Sequence, residues 1–334
     1  MGITRVLRTA SATIERTWYL DEQPIDSSTS VEVTLTDPDG AVVHSGTAAS
    51  AGAGTGRYTF TVPGQPALTW LTATWSATVG GSAVVAADVV EVVGGFYFTL
   101  AEGRAFDASL ADATKHTLAE LVTTRQEVET ECESICGRAF VPRFRRVSLA
   151  GTGTPELVLP DGGDELRAGV ALRGVRSVRA VKVAPRAGQP YVALSAGELA
   201  ALAVMPDGTL RRTDGRIWAE GVQNVVLDYE FGADAPPVDL KRAAMRRFRW
   251  LLNQPYSGVG DRATSFQAVE GGVYQLDTAD ATSTGIPDVD AVYDRYSRGG
   301  GSGGGDGQGG GPRPASRPLN FDPQYNSLFH GGVR

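Results

Sequence analysis

The sequence predicts an α+β protein of two domains: an N-terminal all-β Ig-like sandwich, then a helical core that carries a β-rich insertion. Three observations support this fold class. Short alternating strands fill the first 95 residues, two long helical windows follow, and β signals lie between those windows. The chain of 334 residues is also longer than most single compact domains. We therefore divide it into residues 1–95 and 96–298, followed by two short C-terminal segments.

Strands in the N-terminal region are indicated by apolar and polar residues that alternate at period two. The pattern is clearest in segments that begin at Val31, Gly56 and Leu68. Turn sequences separate them, with Asp37-Pro-Asp-Gly after the first and Gly80-Gly81 after the third. Several short strands at this spacing, without a helical window or a cystine pair, predict an Ig-like sandwich that is not of the antibody type.

Two features bear on how the sandwich meets its surroundings. Trp70 and Trp75 are separated by an odd number of residues, so a regular strand places them on opposite faces. We expect one in the core and the other as an exposed contact. Residues 94–104 then join two separate hydrophobic patterns, so we expect few contacts to cross this stretch and the second domain to fold without the first.

An acidic helix is predicted over about residues 108–136. Ser109 followed by Asp112 resembles a capping box at its start, and Gly137 is a favourable end. Its acidic residues are Glu120, Glu127, Glu129, Glu131 and Glu133. Such a run usually forms a solvated face. Cys132 and Cys136 lie on the same helix, and we interpret them as small apolar residues.

A basic helix is predicted over about residues 238–252, after the Pro236-Pro237 start signal. Its basic residues are Lys241, Arg242, Arg246, Arg247 and Arg249. Together with Glu127 and Glu131 of the acidic helix, they are our candidates for a partner interface. The two helices could pair within one subunit, or each could meet its opposite charge on a neighbouring copy. A DNA-contacting arginine face is a further alternative.

Between the two helices, β signals predict an insertion over about residues 155–231. A hairpin follows over residues 264–276, with its turn at Glu270-Gly-Gly. A short helix with Pro287 near its start then ends the domain.

Four stretches carry a family resemblance: Glu133-Ser-Ile-Cys-Gly-Arg-Ala-Phe-Val-Pro-Arg, Leu157-Val-Leu-Pro, the basic helix, and Thr284-Gly-Ile-Pro-Asp-Val-Asp-Ala-Val-Tyr. They resemble the head-to-tail adaptor (connector) proteins of long-tailed phages, in particular phages that infect actinobacteria. The resemblance covers most of residues 100–298. An N-terminal sandwich joined to such an adaptor also resembles the domain arrangement of that group. The β insertion is larger than the minimal, mainly helical adaptor has.

The resemblance implies a structural role in the virion neck, with assembly in the host cytoplasm. It implies a homo-oligomeric ring, usually a dodecamer, that joins the portal protein to the next neck or stopper protein. DNA would pass through the ring without sequence-specific binding. The resemblance implies no catalysis, cofactor or membrane.

The C-terminal segments are a glycine-rich tether over residues 299–311 and a docking peptide over residues 312–334. Phe321, Tyr325 and Phe329 of the peptide are spaced four apart, which places them on one stripe of a short helix. A helix this short needs a partner to be stable. We therefore expect the peptide to anchor on an adjacent subunit or on the portal.

Composition and motifs bear on the other function classes. The net charge of −7 argues against a general nucleic-acid grip, and no apolar run is long enough for a membrane helix. The three histidines lie in separate segments, and no nucleophile elbow, Walker loop or dinucleotide motif occurs. We expect no enzyme, metal or cofactor. The alternative to the neck protein is a surface or capsid-decorating module that uses the Ig-like domain on glycan or protein, and an enzyme of unrecognised fold ranks last.

Overall fold

The structure is a computed structural model, and it describes residues 3–167, 169–185, 189–256, 265–267, 273–275 and 283–298. Within these ranges the protein is a mixed α+β chain with more strand than helix and several separate sheets. Three hydrophobic cores underlie the architecture: one between the N-terminal sheets, one among the helices, and one inside the β insertion.

The N-terminal region consists of strands only. They are β1 (Ile3–Leu7), β2 (Ala12–Thr17), β3 (Tyr19–Leu20), β4 (Gln23–Pro24), β5 (Glu32–Thr36), β6 (Val42–Thr47), β7 (Ala49–Ser50), β8 (Arg57–Val62), β9 (Thr69–Val79) and β10 (Ser82–Val93). One sheet has the order β1-β10-β9-β5-β6, a second has β2-β8-β7, and β3 pairs with β4. Strand β1 runs parallel to β10, with Ile3 opposite Val89. The two larger sheets bury a shared core, and we call residues 3–93 the N-terminal sandwich.

The two tryptophans of β9 lie on opposite faces, as their spacing predicts. Trp75 is fully buried in the core of the sandwich, whereas Trp70 is 39% exposed. The ring of Trp70 packs edge-on against Phe144 of the second domain, with 6.1 Å between ring centroids. The exposed contact expected from the sequence is therefore made within the same chain.

In the described part of the chain, five α-helices follow the sandwich: α1 (Leu100–Phe106), α2 (Leu118–Cys136), α3 (Ala196–Ala200), α4 (Val238–Asn253) and α5 (Pro287–Tyr296). The basic helix α4 agrees with its predicted bounds to within one residue. Helix α2 ends where predicted, because Gly137 adopts the left-handed conformation (φ 66°) that its position requires. Helices α2, α4 and α5 share one core, in which both Cys132 and Cys136 are buried free thiols.

The predicted start of the acidic helix near residue 108 is wrong. Asp107 caps only a single 3-10 turn, Ala108–Leu110. Asp112 accepts hydrogen bonds from the backbone amides of Thr114 and Lys115, and so closes a local turn rather than opening a helix. The helix begins only after Thr117, whose hydroxyl accepts from the amide of Glu120.

The β-rich segment begins earlier than the predicted residue 155. Its strands are β11 (Arg143–Gly151), β12 (Glu156–Val158), β13 (Glu165–Arg167), β14 (Val170–Leu172), β15 (Val175–Val183), β16 (Val192–Ala193), β17 (Leu202–Val204), β18 (Thr209–Arg212) and β19 (Gly221–Phe231). The main sheet has the order β11-β19-β15-β16, and a smaller one has β12-β18-β17. The long strand β11 pairs with β19 along most of its length, with Arg143 opposite Phe231. The predicted hairpin is present as β20 (Ser265–Gln267) and β21 (Val273–Gln275), and its turn lies outside the described residues.

The expectation of few contacts between the sandwich and the rest of the chain is wrong. The amide of Gly94 donates to the carbonyl oxygen of Pro142 at 2.9 Å. The approach is so close that a Cβ on Gly94 would lie 2.6 Å from the Cβ of Pro142. At the other end of the contact, Arg146 and Lys182 both reach Asp39 in a turn of the sandwich. The sandwich is therefore seated firmly on the second domain.

Candidate assembly surfaces

The contact between the sandwich and α2 contains a cluster of buried charges, Arg5, Glu91, Glu129, Glu133 and Arg143, which we call the interdomain ion cluster. The Arg5 guanidinium contacts all three carboxylates, at 2.9 Å from Glu91, 3.2 Å from Glu129 and 3.0 Å from Glu133. Arg143 of β11 contacts Glu129 at 3.2 Å and Glu133 at 2.8 Å. Two cations thus hold three carboxylates, one from β10 and two from α2.

Burial makes this cluster energetically important. The Glu129 side chain is 0% exposed and that of Arg5 is 8% exposed. Burial raises the pKa of Glu129 above its usual value, although Arg143 and the backbone amide of Tyr97 act in the opposite direction. Burial alone would lower the pKa of Arg143, but the charges of Glu133, Glu91 and Glu129 outweigh it and raise that pKa. The negative charge of Glu129 and the positive charge of Arg143 therefore stabilise each other.

The elements explain how the cluster is assembled. Glu129 and Glu133 are four residues apart and therefore neighbours on one side of α2. Arg5 projects from β1, an edge strand of the sandwich that lies next to this side of the helix. The acidic pattern predicted a solvated face for both glutamates, and this prediction is wrong for Glu129, which is fully buried. The missed signal is that Arg125, Glu129 and Cys132 continue the three- and four-residue spacing of the buried positions of α2.

The opposite side of α2 meets the basic helix α4. Arg247 makes two contacts with Glu131, 2.8 Å from Nε to Oε2 and 2.7 Å from Nη2 to Oε1. It also donates to the carbonyl oxygen of Thr284 at 3.2 Å and is only 5% exposed. This pair lies within one chain, as one of the two alternatives from the sequence expects. Arg247 consequently holds α2, α4 and the start of α5 together.

Three other basic residues of α4 have acidic partners in the same chain. The closest atoms are separated by 2.6 Å in Lys241–Glu102, 3.1 Å in Arg246–Asp288 and 3.1 Å in Arg249–Asp107. The side chains of Arg246 and Arg249 remain 42% and 53% exposed. Exposed pairs of this kind are weak, so both arginines can exchange partners at low cost.

Two predicted site residues are exposed and form no ion pair with any described residue: Arg242 on α4 and Glu127 on α2. Every other charged residue among the predicted candidates has an ionic partner within the described part of the chain. Phe321, Tyr325 and Phe329, the tether and the docking peptide all lie outside the described residues.

A groove of about 630 Å³ lies where α4 begins and α5 ends. Its apolar lining includes Pro236, Pro237 and Val238, and the Val238 side chain is 85% exposed. Arg242, one helical turn beyond Val238, supplies a cation at its side. Apolar surface thus lies beside Arg242, which has no ionic partner among the described residues. This combination is typical of a groove that binds a peptide.

The described ranges contain no group of three or more His, Cys, Asp or Glu side chains placed to hold a metal ion. No helix in the described part of the chain is long and apolar enough to cross a membrane.

No protein-family model matches the sequence, and no curated protein matches it. Among solved structures, the chain is similar to the neck of an empty GTA particle, with 16% identity and a TM-score of 0.33, over 59% of this chain and 88% of the other. It is also similar to a DUF4785 family protein from Legionella pneumophila, with 10% identity and a TM-score of 0.20, over 68% of this chain and 44% of the other. Both likenesses are too distant to assign a function to this chain.

Proposed function

We propose that this protein is a structural component of a phage virion neck, a ring-forming adaptor that joins the portal to the tail-side connector proteins and lines the DNA passage. One observation carries the proposal. Three of the four sequence segments that resemble phage adaptors are far apart along the chain, yet they pack into one core. The fourth, Leu157-Val-Leu-Pro, places Leu157 and Leu159 in the core of the β insertion.

The contacts within the shared core of the three segments are direct. Cys136 belongs to the first of those segments, Phe248 to the basic helix and Tyr293 to the closing segment, and all three are buried in the same core. The thiol of Cys136 lies 3.5 Å from the carbonyl oxygen of Tyr293, and the backbone amide of Arg298 donates to the carbonyl oxygen of Cys136 at 2.9 Å. An adaptor-type core assembled in this way supports the resemblance as one domain rather than as scattered similarity.

The proposed ring needs a surface that joins neighbouring copies. The exposed side of α4 offers Arg246 and Arg249, whose ion pairs within the chain are weak. Glu127 offers an acid on the exposed side of α2 that forms no ion pair with the residues the structure describes. In a closed ring each subunit contributes two different surfaces, so a basic side can meet an acidic side of the next copy. Such pairs set orientation more than they add affinity.

The experiment is native mass spectrometry of the full chain at low and high salt, with electron microscopy of any closed assembly. We expect one closed oligomer that weakens as salt rises, because screening reduces contacts between exposed charges. Arg246→Glu with Arg249→Glu should shift the protein towards monomer, and Glu127→Arg in the same chain should restore part of the assembly. Arg211→Glu, an exposed change in the β insertion, is the matched control.

A protein that stays monomeric in every condition and does not bind portal-containing heads would contradict the proposal. Glycan or capsid binding by that monomer would favour the surface-decorating alternative. Assembly that is indifferent to the double reversal would keep the ring but remove α4 from its interface.

A further inference from the structure

The groove between α4 and α5 has an uneven chemistry. Its carboxylate, Asp239, is already engaged, because Arg295 contacts it at 2.9 Å and the hydroxyl of Tyr296 donates to it at 2.8 Å. Its cation, Arg242, has no ionic partner among the described residues. Val238 presents an apolar side chain that is 85% exposed. An occupant of this groove should therefore bring an apolar group to Val238 and an acid to Arg242.

The position of the groove along the chain points to its occupant. Tyr296 lines the groove and is the last residue of α5. The described part of the chain ends two residues later, at residue 298, and 36 further residues follow (299 to 334). The last described residue is therefore only two positions along the chain from a residue that lines the groove.

The composition of that segment matches the groove. Among the residues outside the described ranges, Phe321-Asp322 is the one place where an aromatic residue is followed directly by an acid. We propose that the C-terminal peptide of this chain docks in its own groove, with Phe321 against Pro237 and Val238 and with Asp322 at Arg242.

The length of the intervening segment suits docking within one chain. From residue 299 to residue 320 there are 22 residues, of which the first 13 are almost all glycine. A glycine-rich coil of this length has a root-mean-square reach of roughly 25 Å, which is ample for a groove beside its starting point. One aromatic residue and one exposed ion pair bind only weakly on their own. The tether supplies an effective concentration of about millimolar, so even a millimolar site is occupied about half of the time or more.

This inference concerns a single chain and does not depend on ring formation. It is tested by NMR of the full chain with isotopically labelled valine methyl groups. In the intact chain the Phe321 ring should shift the Val238 methyl signals from their positions in a chain that ends at residue 311. Phe321→Leu should abolish most of that shift, whereas Phe329→Leu, a matched change in the same peptide, should preserve it.

The ion pair is tested by exchange of charges. Asp322→Lys should lower the equilibrium constant for docking by a factor of about two to five, the range expected for one exposed pair. Adding Arg242→Glu to the same chain should restore it. Because both changes are at exposed or C-terminal positions, neither is expected to unfold the protein.

Three results would overturn the proposal. Identical Val238 signals in the intact and shortened chains would show that the groove is empty. A larger effect of Phe329→Leu than of Phe321→Leu on the Val238 signals would show that Phe321 is not the residue that docks. A shift that appears in labelled shortened chains only after unlabelled intact chains are added would make the occupant the peptide of a second copy.

Discussion

Replacing Arg5 with methionine should destabilise the protein by about 3–5 kcal/mol, the usual cost of removing one partner from a buried ion network. Methionine preserves most of the apolar stem but removes contacts to Glu91, Glu129 and Glu133. Three carboxylates would then share Arg143 as their remaining cation within the cluster. Because the Glu129 side chain is fully buried, water cannot replace the lost guanidinium there.

The effect should also depend on pH, with a definite sign. Burial already raises the pKa of Glu129, and loss of a neighbouring cation raises it further. A carboxyl whose pKa is higher in the folded state contributes stability below its unfolded pKa and loses it as the pH rises through the folded value. The difference in unfolding free energy between the native protein and the variant should therefore be smaller near pH 4 than at pH 7.

Urea unfolding, followed by tryptophan fluorescence at both pH values, measures this difference. Arg57→Met is the matched control, because its ion pair with Glu15 in the same sandwich has both side chains about half exposed. The control should cost less than about 1 kcal/mol and show no comparable pH dependence. If Arg5→Met were as mild as the control, the interdomain ion cluster would not be the anchor of the sandwich.

Two further predictions concern other contacts. Gly94→Ala should lower the free energy of unfolding by about 1–3 kcal/mol, because the new Cβ would lie 2.6 Å from Pro142. Gly197→Ala on α3 is the control: its Cβ would face open space, so the change should be neutral or slightly stabilising. Equal urea midpoints for the two variants would contradict this prediction. The hydrogen bond from Lys241, together with hydrogen bonds between Glu102 and Thr99 at the start of α1, lowers the pKa of Glu102 to about 2. The stability that this carboxylate contributes is therefore present above about pH 4.5 and is lost as the pH falls towards 2. Glu102→Gln should therefore lower the thermal midpoint at pH 7, by an amount equivalent to at most about 1 kcal/mol because the ion pair is exposed. The difference between the variant and the native protein should vanish near pH 2. A difference that does not change with pH would refute a stabilising role for the charged form of Glu102.

Local patterns predicted the elements that local physics controls. Alternation along β9 placed Trp70 and Trp75 on opposite faces, and Pro237 marked the start of α4 to within a residue. The start of α2 was missed because Ser109 followed by Asp112 was taken as a capping box. Thr117 followed by Glu120 has the same spacing and marks the actual start.

The interdomain ion cluster was not predictable from local patterns in the same way. A glutamate on an acidic helix is normally solvated. The spacing of Glu129 along α2 marks a buried position, but nothing near it in the sequence says that the N-terminal sandwich covers it. Its environment is decided by Arg5, which is 124 residues away along the chain. The partner choice of Arg247 was open for the same reason, because its pairing with Glu131 depends on how α2 and α4 pack together.

The placement of β1 also has a consequence for synthesis. Arg5 is made well before its partners, because the parallel neighbour β10 ends at Val93 and the farthest carboxylate that Arg5 contacts is 128 residues later in the chain. At a translation speed of about 5–20 residues per second, Arg5 waits roughly 6–25 s for that partner to leave the ribosome. Until β10 has been made, the strand has neither its sheet neighbour nor its partner Glu91, and Glu129 and Glu133 follow later still. Strand β1 is thus made well before the strand and the helix that fix it in place.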